Sequence, residues 1–187
     1  MLELAALGLL LKKPLHGYRL KQQLEKFMSG CISVNYGAIY PLLKRLEKQG
    51  YIKTQELTDG GSNRKVYQIT ELGRERWREK MLAHPHESWV NSRSRFIIKF
   101  FFFSQLQPAE RIKLMQSRLM TCQLRLENRE SQIVEQDNED PYQAIALQRH
   151  LANLRFEIEW LKEQIWREQA DLEPNQDAIA TYINHQN

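Results

Sequence analysis

The stretch from Asn35 to Gly50 constrains this chain more than any other. Ile39, Leu42, Leu43 and Leu46 fall at i, i+3, i+4 and i+7, the apolar stripe of an amphipathic helix. At about 100° per residue, Gly37, Pro41, Lys44, Arg45 and Lys48 fall on the other side, with Tyr40 on the flank. Asn35 suits an N-cap and Gly50 a C′ residue, so the spacing predicts a helix punctuated at both ends. Pro41 reads as an internal proline, which removes one amide donor and presses its ring on the carbonyl of Gly37. A slightly bent, small-faced, basic helix suits a DNA groove. The same pattern also suits a surface helix that packs by its stripe and does nothing else.

The flanking chain favours the first reading. Leu2 to Leu11 is almost continuously apolar and predicts a buried helix, ended by Lys12, Lys13 and Pro14. Tyr18 to about Met28 predicts a second, with Leu20, Leu24 and Phe27 on one face. Three short helices with a basic third make a helix-turn-helix. After Gly50 the period falls to two. Tyr51 to Leu57 and Val66 to Ile69 predict strands around the turn-forming run from Thr58 to Asn63. Arg64 and Lys65 give this hairpin a basic tip, the character of a wing. Thr70 then caps a helix running to about Ala83.

Charge divides along the chain. Residues 1–83 hold 15 Lys and Arg against 8 Asp and Glu, a net +7, while residues 84–187 hold 12 against 15, a net −3. A basic front and a mildly acidic back point to a polyanion-binding module joined to a protein-binding one. Cys31 and Cys122 lie far apart without metal-ligand spacing, so free thiols in a reducing compartment are expected. The opening apolar run lacks the charged lead of a signal peptide, and the Phe96–Phe103 run is too short to span a bilayer. A cytoplasmic protein without membrane association is expected. His84 and His86 lack further ligands at useful spacing, so no metal is assigned. No phosphate loop or nucleophile–base arrangement is found, so neither an enzyme nor a cofactor is expected.

Taken together, Leu7 to Leu10, Pro14 to Leu20, Gly37 to Leu46, Gly50 to Ile52, Arg64 to Tyr67 and Ile69 to Gly73 resemble the PadR family of bacterial transcriptional regulators. Their order and spacing cover roughly residues 1–83. The resemblance implies a winged helix-turn-helix domain, a helical C-terminal dimerisation region, and repression (less often activation) of a nearby promoter. It places the third helix in the major groove and the wing at the backbone or minor groove. Carried onto this chain, that selects Asn35, Tyr36, Tyr40 and Lys44, and on the wing Asn63, Arg64 and Lys65. Many members carry more residues before the first helix, so no N-terminal arm on DNA is expected. The resemblance also implies a small aromatic or drug-like effector.

The back half reads as helices. Residues 88–104 are rich in Phe, and burial of Phe96, Phe100 and Phe103 between subunits is expected. Pro108 opens a helix with Ile112, Met115, Leu119, Cys122, Leu126 and Ile133 at 3,4 spacing. An acidic turn ends at Pro141, which opens another with Leu147, Leu151, Leu154, Ile158, Leu161, Ile165 and Leu172. The two predict an antiparallel hairpin whose seams bury against each other and a partner.

The expected architecture is mainly α with a small β-hairpin wing. A winged helix-turn-helix (1–83) is followed by a linker (84–88), a helical dimerisation domain (89–174) and a polar tail (175–187). The expected function is a homodimeric repressor on an inverted-repeat operator. Lys44, Lys48, Arg64 and Lys65 would hold phosphates of double-stranded DNA, and Asn35, Tyr36 and Tyr40 bases or sugars. A small aromatic ligand would bind near Trp77 and Trp89, with Phe96 and Phe100 as further lining. The competing reading is a degenerate winged helix that binds only protein.

Overall fold

The computed structural model describes residues 1–28, 36–59, 62–135 and 140–172; for residues 26–28, 36, 56–59, 62–64 and 132–135 it describes the backbone alone. Two compact units divide at Gln105 and Leu106.

The first unit begins with α1 (Leu2–Lys12), β1 (Leu15–His16) and α2 (Gly17–Met28). A single 3-10 turn, Tyr36–Ala38, leads into α3 (Ile39–Lys48). The wing is β2 (Ile52–Asp59) and β3 (Ser62–Ile69), followed by α4 (Glu71–Leu82) and α5 (Trp89–Phe101). β1 was not foreseen. It pairs antiparallel with β3, Leu15 opposite Tyr67 and His16 opposite Val66, so β3 is the central strand of three. Two residues carry no readable alternation of their own, and this strand exists only through its partner.

The core follows from the continuous apolarity of α1, whose residues from Leu4 to Leu10 are all buried, with α2 and α4 packed against them. Leu20 and Leu24 of α2, the whole predicted stripe of α3, and Trp77 and Met81 of α4 complete it. Thr70 caps α4 as expected, its hydroxyl oxygen accepting from the Gly73 amide. Gly50 has φ +74°, the left-handed conformation of a helix-ending glycine.

Two expectations about α3 are corrected. Asn35 lies outside the described residues; the helix proper starts at Ile39, after Ala38, without a side-chain cap. Pro41 is therefore in the first turn, where the amide it lacks would have had no intrahelical partner. It costs the helix little and needs no bend.

The unit boundary also departs from the sequence reading. Residues 84–88 were expected to be a linker between domains, yet α5 belongs to the first unit. The cause is packing. Phe102, just after α5, is fully buried over Gly8 of α1 and meets Trp77 edge-to-face at 6.3 Å. Lys99 is buried and donates from Nζ to the Ala83 carbonyl at 2.6 Å.

The second unit is a hairpin of α6 (Pro108–Glu135) and α7 (Pro141–Ala170), with Asp140 capping α7 and Pro141 in its first turn. Leu151, Leu154, Ile158, Leu161 and Ile165 are buried, against a seam of α6 that includes Met115 and Cys122. Cys122 is a free buried thiol; Cys31 and Ile133 lie beyond what is described of side chains. Among the described residues, no helix is long and apolar enough to cross a membrane.

Candidate nucleic-acid interface

Burial of Ile39, Leu42, Leu43 and Leu46 fixes the rotation of α3 and turns its other face outward. Tyr40, Pro41, Lys44 and Lys48 are exposed there, Tyr40 at 51%. Arg45 is exposed too, but it leans back onto α1, its Nη2 3.5 Å from Glu3. Glu3 also takes Arg76 and Lys80 of α4, each at 3.3 Å. One carboxylate thus ties α3 to the helices beneath it, a role the sequence pattern did not reveal.

At its C-terminal end α3 is held by hydrogen bonds. Thr70 Oγ1 donates to the Gly50 carbonyl at 2.6 Å, and the Thr70 amide to the Tyr51 carbonyl at 3.0 Å. The Thr54 hydroxyl of β2 donates to the Glu47 carboxylate. Gly73 is required by the same junction, since a Cβ there would fall 2.0 Å from the Tyr51 carbonyl oxygen.

Beside α3 lies a cleft of about 850 Å³, lined by His16, Gly17 and Arg19 where β1 enters α2, by Tyr40, and by Lys65 and Tyr67 of β3. Gly17 makes the convergence possible: a Cβ there would sit 3.1 Å from the Tyr67 ring and 3.4 Å from that of Tyr40. Burial first, then the Glu47 carboxylate and Tyr40, push the Tyr67 phenol up, which keeps it a neutral donor. Of the residues selected from sequence, Tyr40, Lys44 and Lys48 are exposed on α3 and Lys65 on β3, and Tyr40 and Lys65 share the cleft. Tyr36 is described in its backbone only, as are Asn63 and Arg64, which pair across the wing with Thr58 and Leu57. Within Pro14 to Leu20, the residues His16 to Arg19 line the cleft, a placement that no local sequence pattern marks.

The residues expected at a subunit interface are placed differently. Phe96 and Phe103 are already buried within the first unit, their rings 6.2 Å apart, with Phe100 half-buried beside them. Met115, Leu151, Leu154, Ile158, Leu161 and Ile165 are enclosed in the hairpin, and Ile112 and Leu119 are half-buried. The heptad pattern correctly marked a seam, but a pattern cannot say whether the covering helix is in the same chain.

Trp77 is 3% exposed, and its indole Nε1 has no hydrogen-bond partner among the described residues. It lines a cavity of about 340 Å³ with Leu11, Glu71, Arg74, Glu75, Arg78 and Gln105. Trp89 is half-buried and is not part of that lining.

Three helices, the third turned outward with basic residues, and a two-stranded wing define a winged helix-turn-helix DNA-binding domain. Residues 6–79 match the Transcriptional regulator PadR-like family, and residues 92–166 match Virulence activator alpha C-term. Residues 6–79 are therefore a PadR-like transcriptional-regulator domain. The chain is 29% identical over 128 residues to the negative transcriptional regulator PadR of Bacillus subtilis, covering 67% of this chain and 69% of that one. An uncharacterised Lysinibacillus sphaericus protein is 33% identical over 70 residues, 36% of this chain and 63% of its own. The crystal structure of B. subtilis PadR in complex with operator DNA is similar at 22% identity and a TM-score of 0.44, covering 89% of this chain and 98% of that one. That of the same protein in complex with p-coumaric acid is similar at 22% identity and a TM-score of 0.42, covering 90% and 95%.

Proposed function

We propose that this protein is a cytoplasmic homodimeric repressor that binds an inverted-repeat operator and is released by a small aromatic ligand. The observation that carries the reading is the outward face of α3, where Tyr40, Lys44 and Lys48 are exposed and Tyr40 shares a cleft with Lys65 of the wing. In this role Lys44, Lys48, Arg64 and Lys65 neutralise phosphates, and Asn35, Tyr36, Tyr40 and Asn63 contact bases or sugars. A two-fold dimer presents two such helices, so half-sites about one helical turn apart, or a little more, are expected.

The dimer surface we assign is the outer side of the α6–α7 hairpin. Ile145, Phe156 and Trp166 recur along α7 at about three-turn intervals, away from the buried seam. Phe156 is 74% exposed and Trp166 68%. Water is a poor partner for such a surface, and a second copy presents a matching one. For the effector, the cavity beside Trp77 supplies an unpartnered indole donor among Glu71, Arg74, Glu75 and Arg78, which suits a small aromatic ligand that both donates and accepts hydrogen bonds.

The test is fluorescence anisotropy with DNA upstream of the protein's own gene and a scrambled duplex, titrated across salt. Tighter binding to the upstream DNA with a steep salt dependence is expected. Absence of binding to either duplex at low salt would establish the protein-only reading instead.

A further inference from the structure

We propose that Glu3 is a positioning residue for DNA binding: it holds the Arg45 guanidinium of α3 back against α1 and so keeps a third cation of that helix off the DNA phosphates. It rests on the DNA-binding reading above and extends it to the strength of the complex.

At about 100° per residue, Arg45 falls about 60° from Lys48 around α3, at the edge of the outward face. Its side chain is 58% exposed, so burial does not hold it in place. A carboxylate turns it inward, with Nη2 lying 3.5 Å from Glu3 Oε2. Glu3 divides its oxygens, Oε1 taking Arg76 and Lys80 of α4, each at 3.3 Å, and Oε2 taking Arg45. The two α4 cations fix where the carboxylate points and leave its second oxygen toward α3. Glu3 is itself only 17% exposed, in the first turn of a helix that the burial of Leu4 to Leu10 anchors in the core. The carboxylate is therefore fixed, and the arginine is the partner that can leave. An ion pair with so exposed a member is weak and screened by salt, so it tunes the DNA contact without forbidding it. With Arg45 held, α3 offers the phosphates Lys44 and Lys48. Phosphate contacts add affinity without reading bases, so Glu3 lowers affinity for every sequence alike and leaves discrimination intact.

The experiment uses the full chain, a random duplex and the upstream duplex. Anisotropy is measured across salt for wild type, Glu3→Gln, Arg45→Gln and the double variant, each checked for folding by circular dichroism. Glu3→Gln is expected to tighten binding several-fold, with a salt slope steeper by about one, equally on both duplexes. Arg45→Gln alone is expected to bind like wild type, and the double variant to lose the gain, the non-additivity that couples the two residues. Glu79→Gln removes the carboxylate 2.7 Å from Arg76, leaves Glu3 in place, and controls for net charge. If it gives the same gain as Glu3→Gln, charge alone explains the effect and the proposal falls. Weaker binding by folded Glu3→Gln would make Glu3 only a brace for α3 and overturns the proposal while the DNA-binding reading stands. Arg45→Gln alters only an exposed side chain, so it asks the same question even where Glu3→Gln weakens the fold. A slope lower by about one for that variant alone would put Arg45 on the phosphates already and overturn the proposal. Failure of the wild type itself to bind either duplex overturns the DNA reading and this proposal together.

Discussion

The ring of Phe102 lies against the α-carbon of Gly8: a Cβ on Gly8 would fall 2.6 Å from Phe102 Cζ. Neither residue has room to give, because both are buried, and Gly8 sits mid-helix where glycine otherwise only weakens α1. Gly8→Val should therefore destabilise the chain by about 1–3 kcal/mol through overpacking. Urea unfolding of the full chain measures it. Combining Gly8→Val with Phe102→Leu should recover part of the loss, and strict additivity of the two would refute the contact as its cause.

Lys99 gives a pH signature. Burial first, then the neighbouring Arg95, lower its ammonium from the usual 10.5 to about 8, against a smaller opposing effect of Glu87. Between those values the unfolded chain binds more protons than the folded one, so this group makes stability rise with pH. Below about pH 8 its full cost is present, and above 10.5 the cost is gone. Thermal unfolding from pH 7.5 to 10, compared with Lys99→Met, should show an excess rise in the wild type. Parallel curves would mean that Lys99 titrates normally.

In the tail hairpin, Arg118 lies buried on α6 with its guanidinium 2.8 Å from the Glu157 carboxylate of α7. Glu157→Leu alone should cost about 3–5 kcal/mol, because it strands a buried charge. The double change Arg118→Met with Glu157→Leu should restore most of that stability in chemical unfolding. A double variant as weak as the single one would show that the pair contributes more than mutual neutralisation.

The exposed face of α7 predicts oligomeric state. Phe156→Glu with Trp166→Glu should halve the mass found by light scattering while leaving helix content unchanged, since both side chains lie outside the hairpin seam. Dimers persisting at micromolar concentration would place the interface elsewhere.

Sequence periodicity located α3 well because one uninterrupted stripe and one buried neighbour decide its orientation. The wing was legible for a similar reason: turn-forming residues separate two runs whose register, Ile52 opposite Ile69 through Asp59 opposite Ser62, needs no distant partner. What periodicity could not give were the contacts between distant segments. Glu3 on three cations, β1 on β3, and Phe102 on Gly8 each join residues whose local patterns say nothing of one another. The phenylalanines of α5 show the limit most clearly. Of that aromatic run, Phe96, Phe102 and Phe103 are buried within the chain, Phe102 over Gly8 of α1.

The base of the wing is locked, through the Tyr51 and Gly50 carbonyls, the Thr70 hydroxyl and amide, and the left-handed Gly50. Antiparallel strands can lengthen by matched pairs at the turn while every residue below keeps its face and its partner. The reach of the wing across DNA is thus a quantity that insertions and deletions can adjust separately, without re-aiming the helix beside it.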